Sequence, residues 1–152
     1  MKNPLTRRSF VFSALAAGMF AATGLPAHAA FEILEVYKTP WCGCCAAWVD
    51  HMRDAGFSVR VTEMEDLAAL KARYGVTAEL ASCHTALIGG YVVEGHVPAA
   101  DVARLLKERP EATGLAVPGM PVGSPGMEMG SEQDPYEVVL FGSGTRETFA
   151  RY

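Results

Sequence analysis

The sequence predicts an α/β fold in a single domain, followed by an extension rich in Pro, Gly and Met. Three observations carry that expectation. At 152 residues and 50% hydrophobic, the chain can build one good core but scarcely two. Along residues 31–109 the apolar positions switch between a period of two and a period near that of a helix, so strands and helices alternate. From Pro110 to Pro135 Pro and Gly crowd in and the periodicity stops.

Phe31 to Tyr37 has the β-branched and aromatic content of a strand. Pro40 closes it, having no N–H to give to a ladder. Between Gly43 and Ala55, the apolar residues Cys45, Trp48, Val49, Met52 and Ala55 recur at spacings of three and four, while Asp50, Arg53 and Asp54 fall opposite. That is an amphipathic helix, with Gly56 as its stop. Phe57 to Val61 alternates as a second strand. Asp66 is suited to cap a second helix running to Tyr74, with Leu67 and Leu70 turned inward. His84 to Ile88 and Tyr91 to Glu94 are apolar runs joined by Gly89-Gly90, a hairpin signal because Gly accepts positive φ. Pro98 opens a third helix reaching Lys107, with Val102, Leu105 and Leu106 as its inner stripe.

Strand, helix, strand, helix, strand, strand, helix is the order of a thioredoxin-like domain. The α/β class and that order are expected over residues 30–109. Residues 110–152 form the extension: Pro and Gly recur so densely from Pro110 to Pro135 that no regular structure is expected there, and Met120, Met127 and Met129 point to a flap that packs down. Tyr136 to Phe141 is one extra strand, followed by a short tail to Tyr152.

Residues 1–29 read as an export signal: basic Lys2, Arg7 and Arg8, an apolar run from Phe10 to Leu25, and the small-x-small triplet Ala27-His28-Ala29, with cleavage expected after Ala29. Thr6-Arg7-Arg8-Ser9-Phe10-Val11 resembles the twin-arginine type, which carries folded proteins to the periplasm. An ordinary leader with an Arg pair, or a retained anchor, is the alternative for the same residues. No later stretch is long enough to span a bilayer. Three of the 13 basic residues and none of the 17 acidic ones lie in this leader, so the rest is more acidic than the chain's net −4. Nucleic acid is therefore not an expected partner.

All four cysteines follow the leader, in a compartment that permits disulfides. Trp41-Cys42-Gly43-Cys44-Cys45 places three thiols where a strand gives way to a helix. Cys42 and Cys45 are spaced C-x-x-C and resemble the thioredoxin site, except that Cys44 stands in the place of its Pro. At a helix N-terminus a thiol ionises more readily and becomes both nucleophile and metal ligand. A third sulfur in the same turn competes for the mixed disulfide of an exchanger, whereas a soft cation gains from each added thiolate. Cys83, in Ser82-Cys83-His84-Thr85-Ala86, lies in the loop entering the third strand, which in such folds packs on the active-site cysteines. Four readings are open: copper held by Cys42, Cys44, Cys45 and Cys83; zinc or another metal; thiol exchange in which Cys42 attacks and Cys45 resolves; and two structural disulfides.

Other residues could be drawn into such a site. His51 falls on the helical bearing of Cys44, but a rise of about 1.5 Å per residue separates them by roughly 10 Å. His84 adjoins Cys83, yet strand alternation would turn the two apart unless the loop is irregular. His84 and His96 are candidates for the outer shell of a metal, and Met120 and Met127 for thioether contacts from the flap, with Met129 beside them. Met52 belongs to the core by its helix position, and Trp41 is expected to shield the sulfurs from water.

The residues Lys38-x-Pro40-x-Cys42-Gly43-Cys44-Cys45-x-x-Trp48-x-x-His51, with Ser82-Cys83-His84-Thr85-Ala86, Tyr91-Val92-Val93-Glu94-Gly95-His96-Val97-Pro98, Gly114-Leu115-Ala116-Val117-Pro118-Gly119-Met120-Pro121 and Gly123-Ser124-Pro125-Gly126-Met127, resemble the CopG family of exported copper-resistance proteins. This family was long catalogued as a domain of unknown function and is distinct from the plasmid repressor that shares its name. The resemblance spans roughly residues 33 to 129. It implies a thioredoxin-like fold, a periplasmic role in copper resistance, and one or several Cu+ ions on the four cysteines, with change between cuprous and cupric states. Copper ions and other periplasmic copper-handling proteins are the partners it implies.

Overall fold

In Leu34–Lys38, the first strand (β1), every second side chain is buried, the alternation of a strand covered on one face. The computed structural model describes residues 32–152. The expected leader over 1–29, its cleavage point and Phe31 lie outside the described residues. After β1 come α1 (Gly43–Asp54), β2 (Val59–Glu63), α2 (Ala68–Arg73), β3 (Thr85–Ile88), β4 (Tyr91–Glu94), α3 (Ala99–Glu108), β5 (Gly114–Ala116), β6 (Glu137–Gly142) and β7 (Thr145–Arg151). The class is mixed α/β, and the first seven elements follow the expected order.

All seven strands form one sheet, ordered β2-β1-β3-β4-β5-β6-β7. β1 runs parallel to β2 and antiparallel to β3, β3 is antiparallel to β4, and β4 is parallel to β5. Cross-strand partners share a face, so the registers Val36↔Ala86, Ala86↔Val93 and Val93↔Leu115 define one covered side. Trp48, Val49 and Met52 of α1 and Val102 and Leu105 of α3 pack there. Val92, Ala116, Val139 and Phe141 cluster with Val76 and Leu80, and the pairing of Val92 with Leu87 puts them on the opposite side. β4 lies inside the sheet and is buried at every residue, as a strand covered on both faces must be.

Several expectations need correction. The stretch from Pro110 to Pro135 does hold regular structure: β5 pairs with both β4 and β6. Gly114 starts it because a Cβ there would overlap the Val92 carbonyl, so this Gly permits close strand approach instead of breaking a strand. The tail to Tyr152 is the edge strand β7, paired along β6; its mostly exposed side chains carry no hydrophobic alternation. The extension therefore adds three strands, not one. β2 begins at Val59 instead of Phe57 because the Phe57 N–H closes onto Met52 O at the end of α1, 3.0 Å away. Ala55 is exposed beyond the last turn. Asp66 does accept the Ala68 N–H at 2.8 Å, with Leu67 buried and Leu70 half-buried. Among the described residues no helix is long and apolar enough to cross a membrane.

Candidate metal centre

Cys42 is the N-cap of α1, in an extended backbone conformation with no side-chain cap. The first N–H groups of the helix are thus left without intrahelical partners beside the sulfurs. The helical turn puts Cys45 on the buried side with Trp48 and leaves Cys42 and Cys44 half-buried above it. Cys42 and Cys45 are joined in a disulfide, with Cα atoms 5.4 Å apart, while Cys44 and Cys83 are free thiols.

Cys83 arrives from the loop before β3. Its Sγ lies 3.8 Å from that of Cys44, which in turn lies 3.4 Å from Cys42 Sγ. Cys45 Sγ is 3.8 Å from the Cys83 carbonyl oxygen. All four Sγ atoms fall within 4.8 Å of one another, so the distant thiol does join the trio. Burial, then the neighbouring Cys44, pushes the Cys83 thiol up to about 12.

A second group shares Cys83. Its Sγ, a His84 nitrogen and a His96 nitrogen also lie within 4.8 Å of one another. The loop is irregular enough for Cys83 and His84 to face the same place: Nδ1 of His84 is 3.4 Å from Cys83 Sγ. Nε2 of His96 is 3.0 Å from that sulfur, and its Nδ1 is 2.8 Å from Pro125 O. A carbonyl only accepts, so Nδ1 carries the proton and the Nε2 lone pair faces Cys83. His84 is fully buried against Trp48, with ring centroids 4.4 Å apart. Burial first, and then His96, holds it well below the usual imidazole range, so it is neutral. Its Nε2 has no hydrogen-bond partner among the described residues.

His51 is placed elsewhere. Its Nε2 accepts the Ala99 N–H at 3.1 Å and so caps the start of α3. Met52 is fully buried in the core. Trp41 is 71% exposed and does not shield the sulfurs, because it precedes the first turn of α1. The flap does pack down: at Gly126 a Cβ would lie 2.7 Å from both Cys44 O and Trp48 N, so the chain passes directly over the first turns of α1. In that flap Met127 is half-buried and Met120 and Met129 are largely exposed.

Sequence reasoning missed the residues that hold the Cys83 loop. Glu94, at the end of β4, has no exposed surface. It accepts from Lys71 Nζ at 2.5 Å, from the Ser82 backbone N–H at 2.7 Å and from Thr85 Oγ1 at 2.6 Å. Lys71 reaches in from α2 and also donates to Thr85 Oγ1 at 2.9 Å. Ser82 Oγ bonds the Gly119 carbonyl, which ties the flap to the same loop. The available signal was a charged residue ending a strand of otherwise apolar type. Neither Lys71 nor Pro125 carried any.

The donor set suits a soft cation. Thiolates with flanking imidazoles favour cuprous ion or zinc over hard cations, although the Cys42–Cys45 bond withholds two sulfurs until it is reduced.

A family model described as "Protein of unknown function, DUF411" matches residues 80–127. No curated protein matches the chain. Two solved structures are similar to it, described as form 2 and form 1 of copper resistance protein copG. Form 2 is 46% identical, with a TM-score of 0.76, over 80% of this chain and 98% of that one. Form 1 is 49% identical, with a TM-score of 0.75, over 79% of this chain and 96% of that one.

Proposed function

This chain belongs to the CopG family of copper-resistance proteins, and from that premise we propose that it is a periplasmic protein that binds cuprous ions on Cys42, Cys44, Cys45 and Cys83. The observation that carries the reading is the 3.8 Å approach of Cys83 Sγ to Cys44 Sγ across 39 positions of sequence. A structural disulfide framework has no need to bring two free thiols together beside a bonded pair. The leader-like residues 1–29 support export, through the twin-arginine route. The parallel β1–β2 pair, continued by antiparallel β3 and β4 with α1 leaving the end of β1, supports a thioredoxin-like core over 30–109. Residues 110–152 then form an added flap and sheet edge.

In this reading copper is cargo. Reduction of Cys42–Cys45 by an external dithiol, which is itself oxidised to a disulfide, frees the remaining sulfurs, and thiolates stabilise the cuprous state. The helix N-terminus offsets the negative charge of the assembled thiolates. His96, fixed in one tautomer by Pro125, and His84 offer nitrogen donors on one side only, a set that supports change between cuprous and cupric states. Met120 and Met127 lie in the flap segment that bounds the site. Other periplasmic copper-handling proteins are its proposed partners.

The Cys42–Cys45 disulfide itself favours a second reading, thiol–disulfide exchange with Cys42 as attacking sulfur and Cys45 as resolving sulfur. Anaerobic titration of the reduced chain with cuprous ion, followed by native mass spectrometry, separates the two. The copper reading predicts retained copper that Cys44→Ser and Cys83→Ser each reduce sharply. Absence of retained copper, together with insulin reduction that survives both substitutions and fails in Cys42→Ser, would leave thiol exchange as the function.

A further inference from the structure

Thiol–disulfide exchange needs an attacking sulfur held against the sulfur it attacks. Two such gaps are already closed here: Cys44 Sγ stands 3.4 Å from Cys42 Sγ of the bonded pair, and Cys83 Sγ stands 3.8 Å from Cys44 Sγ. We propose that the four cysteines form an internal disulfide relay, in which the bond between Cys42 and Cys45 migrates to join Cys44 and Cys83. The relay extends the thiol-exchange reading, rests on the Cys42–Cys45 bond as its starting point, and is independent of copper.

In the first step Cys44 sulfur attacks Cys42 Sγ. The Cys42–Cys44 bond forms, the Cys42–Cys45 bond breaks, and Cys45 leaves with the electron pair. In the second step Cys83 sulfur attacks Cys44 Sγ, the Cys44–Cys83 bond forms, and Cys42 leaves as thiolate. The Nε2 lone pair of His96, 3.0 Å from Cys83 Sγ, faces the proton that this attack displaces. Each attacking thiol gives up one proton and each leaving sulfur takes one up, so the migration needs no added oxidant or reductant.

Its consequence is capacity. Cys42 is half-buried beside the exposed Trp41 and is open to a partner, whereas Cys45 is fully buried. Moving the bond to Cys44–Cys83 returns Cys42 and Cys45 to the dithiol state, ready to reduce a second substrate disulfide. The tetrathiol chain then reduces two substrate disulfides to four thiols and ends with two internal disulfides, where an ordinary C-x-x-C site reduces one.

The test uses the metal-free chain carrying one disulfide, held anaerobically at neutral pH, acid-quenched, alkylated and digested with trypsin. Cys42, Cys44 and Cys45 fall in the peptide of residues 39–53 and Cys83 in that of residues 74–104, so migration appears as a cross-link between the two. The relay predicts that cross-link in the wild type, its loss in Cys44→Ser, and its near-complete formation in Cys45→Ser given one equivalent of glutathione disulfide. Cys83 found wholly alkylated in both the wild type and Cys45→Ser would overturn the relay, as would a cross-link that persists in Cys44→Ser. Insulin reduction by the fully reduced wild type, with dithiothreitol as the electron donor, reports the parent reading separately, since it needs no migration and can fail while the cross-link forms.

Discussion

Cys83 owes its position to a carboxylate that touches no sulfur. Glu94 is fully buried and satisfied by three donors, one of them the backbone N–H of Ser82. Breaking a buried ion pair from one side leaves an uncompensated charge and typically costs about 3–5 kcal/mol. Glu94→Ala strands Lys71, whose side chain is only 14% exposed, and also frees the Ser82 backbone. It is expected to lower stability to urea by an amount near that range and to speed alkylation of Cys83 in the metal-free chain. The double variant Glu94→Ala/Lys71→Met, with no stranded charge, should recover stability but not the slow alkylation, because the Ser82 anchor is still missing. His51 gives the contrasting case. His51→Phe removes the acceptor of the Ala99 N–H, so a stability loss of about 1 kcal/mol is expected, with the amount of bound copper unchanged.

The flap and the last strand each have an anchor that can be loosened separately. Gly126 has a φ of +85° and sits on the backbone of α1; only Gly adopts that conformation without strain. Gly126→Val is expected to lift the flap, raising the alkylation rate of Cys44 several-fold while the far-ultraviolet circular dichroism stays the same. At the other end, Tyr152 donates to Asp101 at 2.7 Å and stacks on Tyr136, tying β7 to the first turn of α3. Burial, then the bond to Asp101, pushes the Tyr152 phenol up to about 12 from the usual 10.0. The folded chain thus holds this proton more tightly than the unfolded chain. The stabilisation is complete below pH 10 and is lost as pH rises from 10 toward 12. A spectrophotometric tyrosine titration should lose its latest component in Tyr152→Phe, while the raised phenols of Tyr37 and Tyr136 remain.

Over the full sheet, what could be read from sequence follows a physical line. α1 and α3 were legible because each buries one face against one partner, so periodicity reports burial, and the β3–β4 hairpin because Gly89-Gly90 marks the turn between two apolar runs. β2 and β7 are exposed edges, where alternation carries no burial signal and boundaries slide. β5 was hidden for the opposite reason: it is three residues long, buried on both faces, and begins with a Gly chosen for close approach. At the site, the sulfur trio and the recruitment of Cys83 were legible from spacing and from the loop's place before β3. The bonded state of Cys42–Cys45, the tautomer of His96 and the Glu94–Lys71 support were not, because each depends on residues from separate elements meeting in space.

The most direct measurement is copper K-edge X-ray absorption on the reduced, copper-loaded chain, recorded for the wild type and for Cys83→Ser. A common four-sulfur nest predicts a cuprous edge and a nearest shell dominated by sulfur in the wild type, with sulfur replaced in part by nitrogen or oxygen in the variant. A wild-type shell made of nitrogen and oxygen, or spectra that coincide in the two proteins, would contradict it.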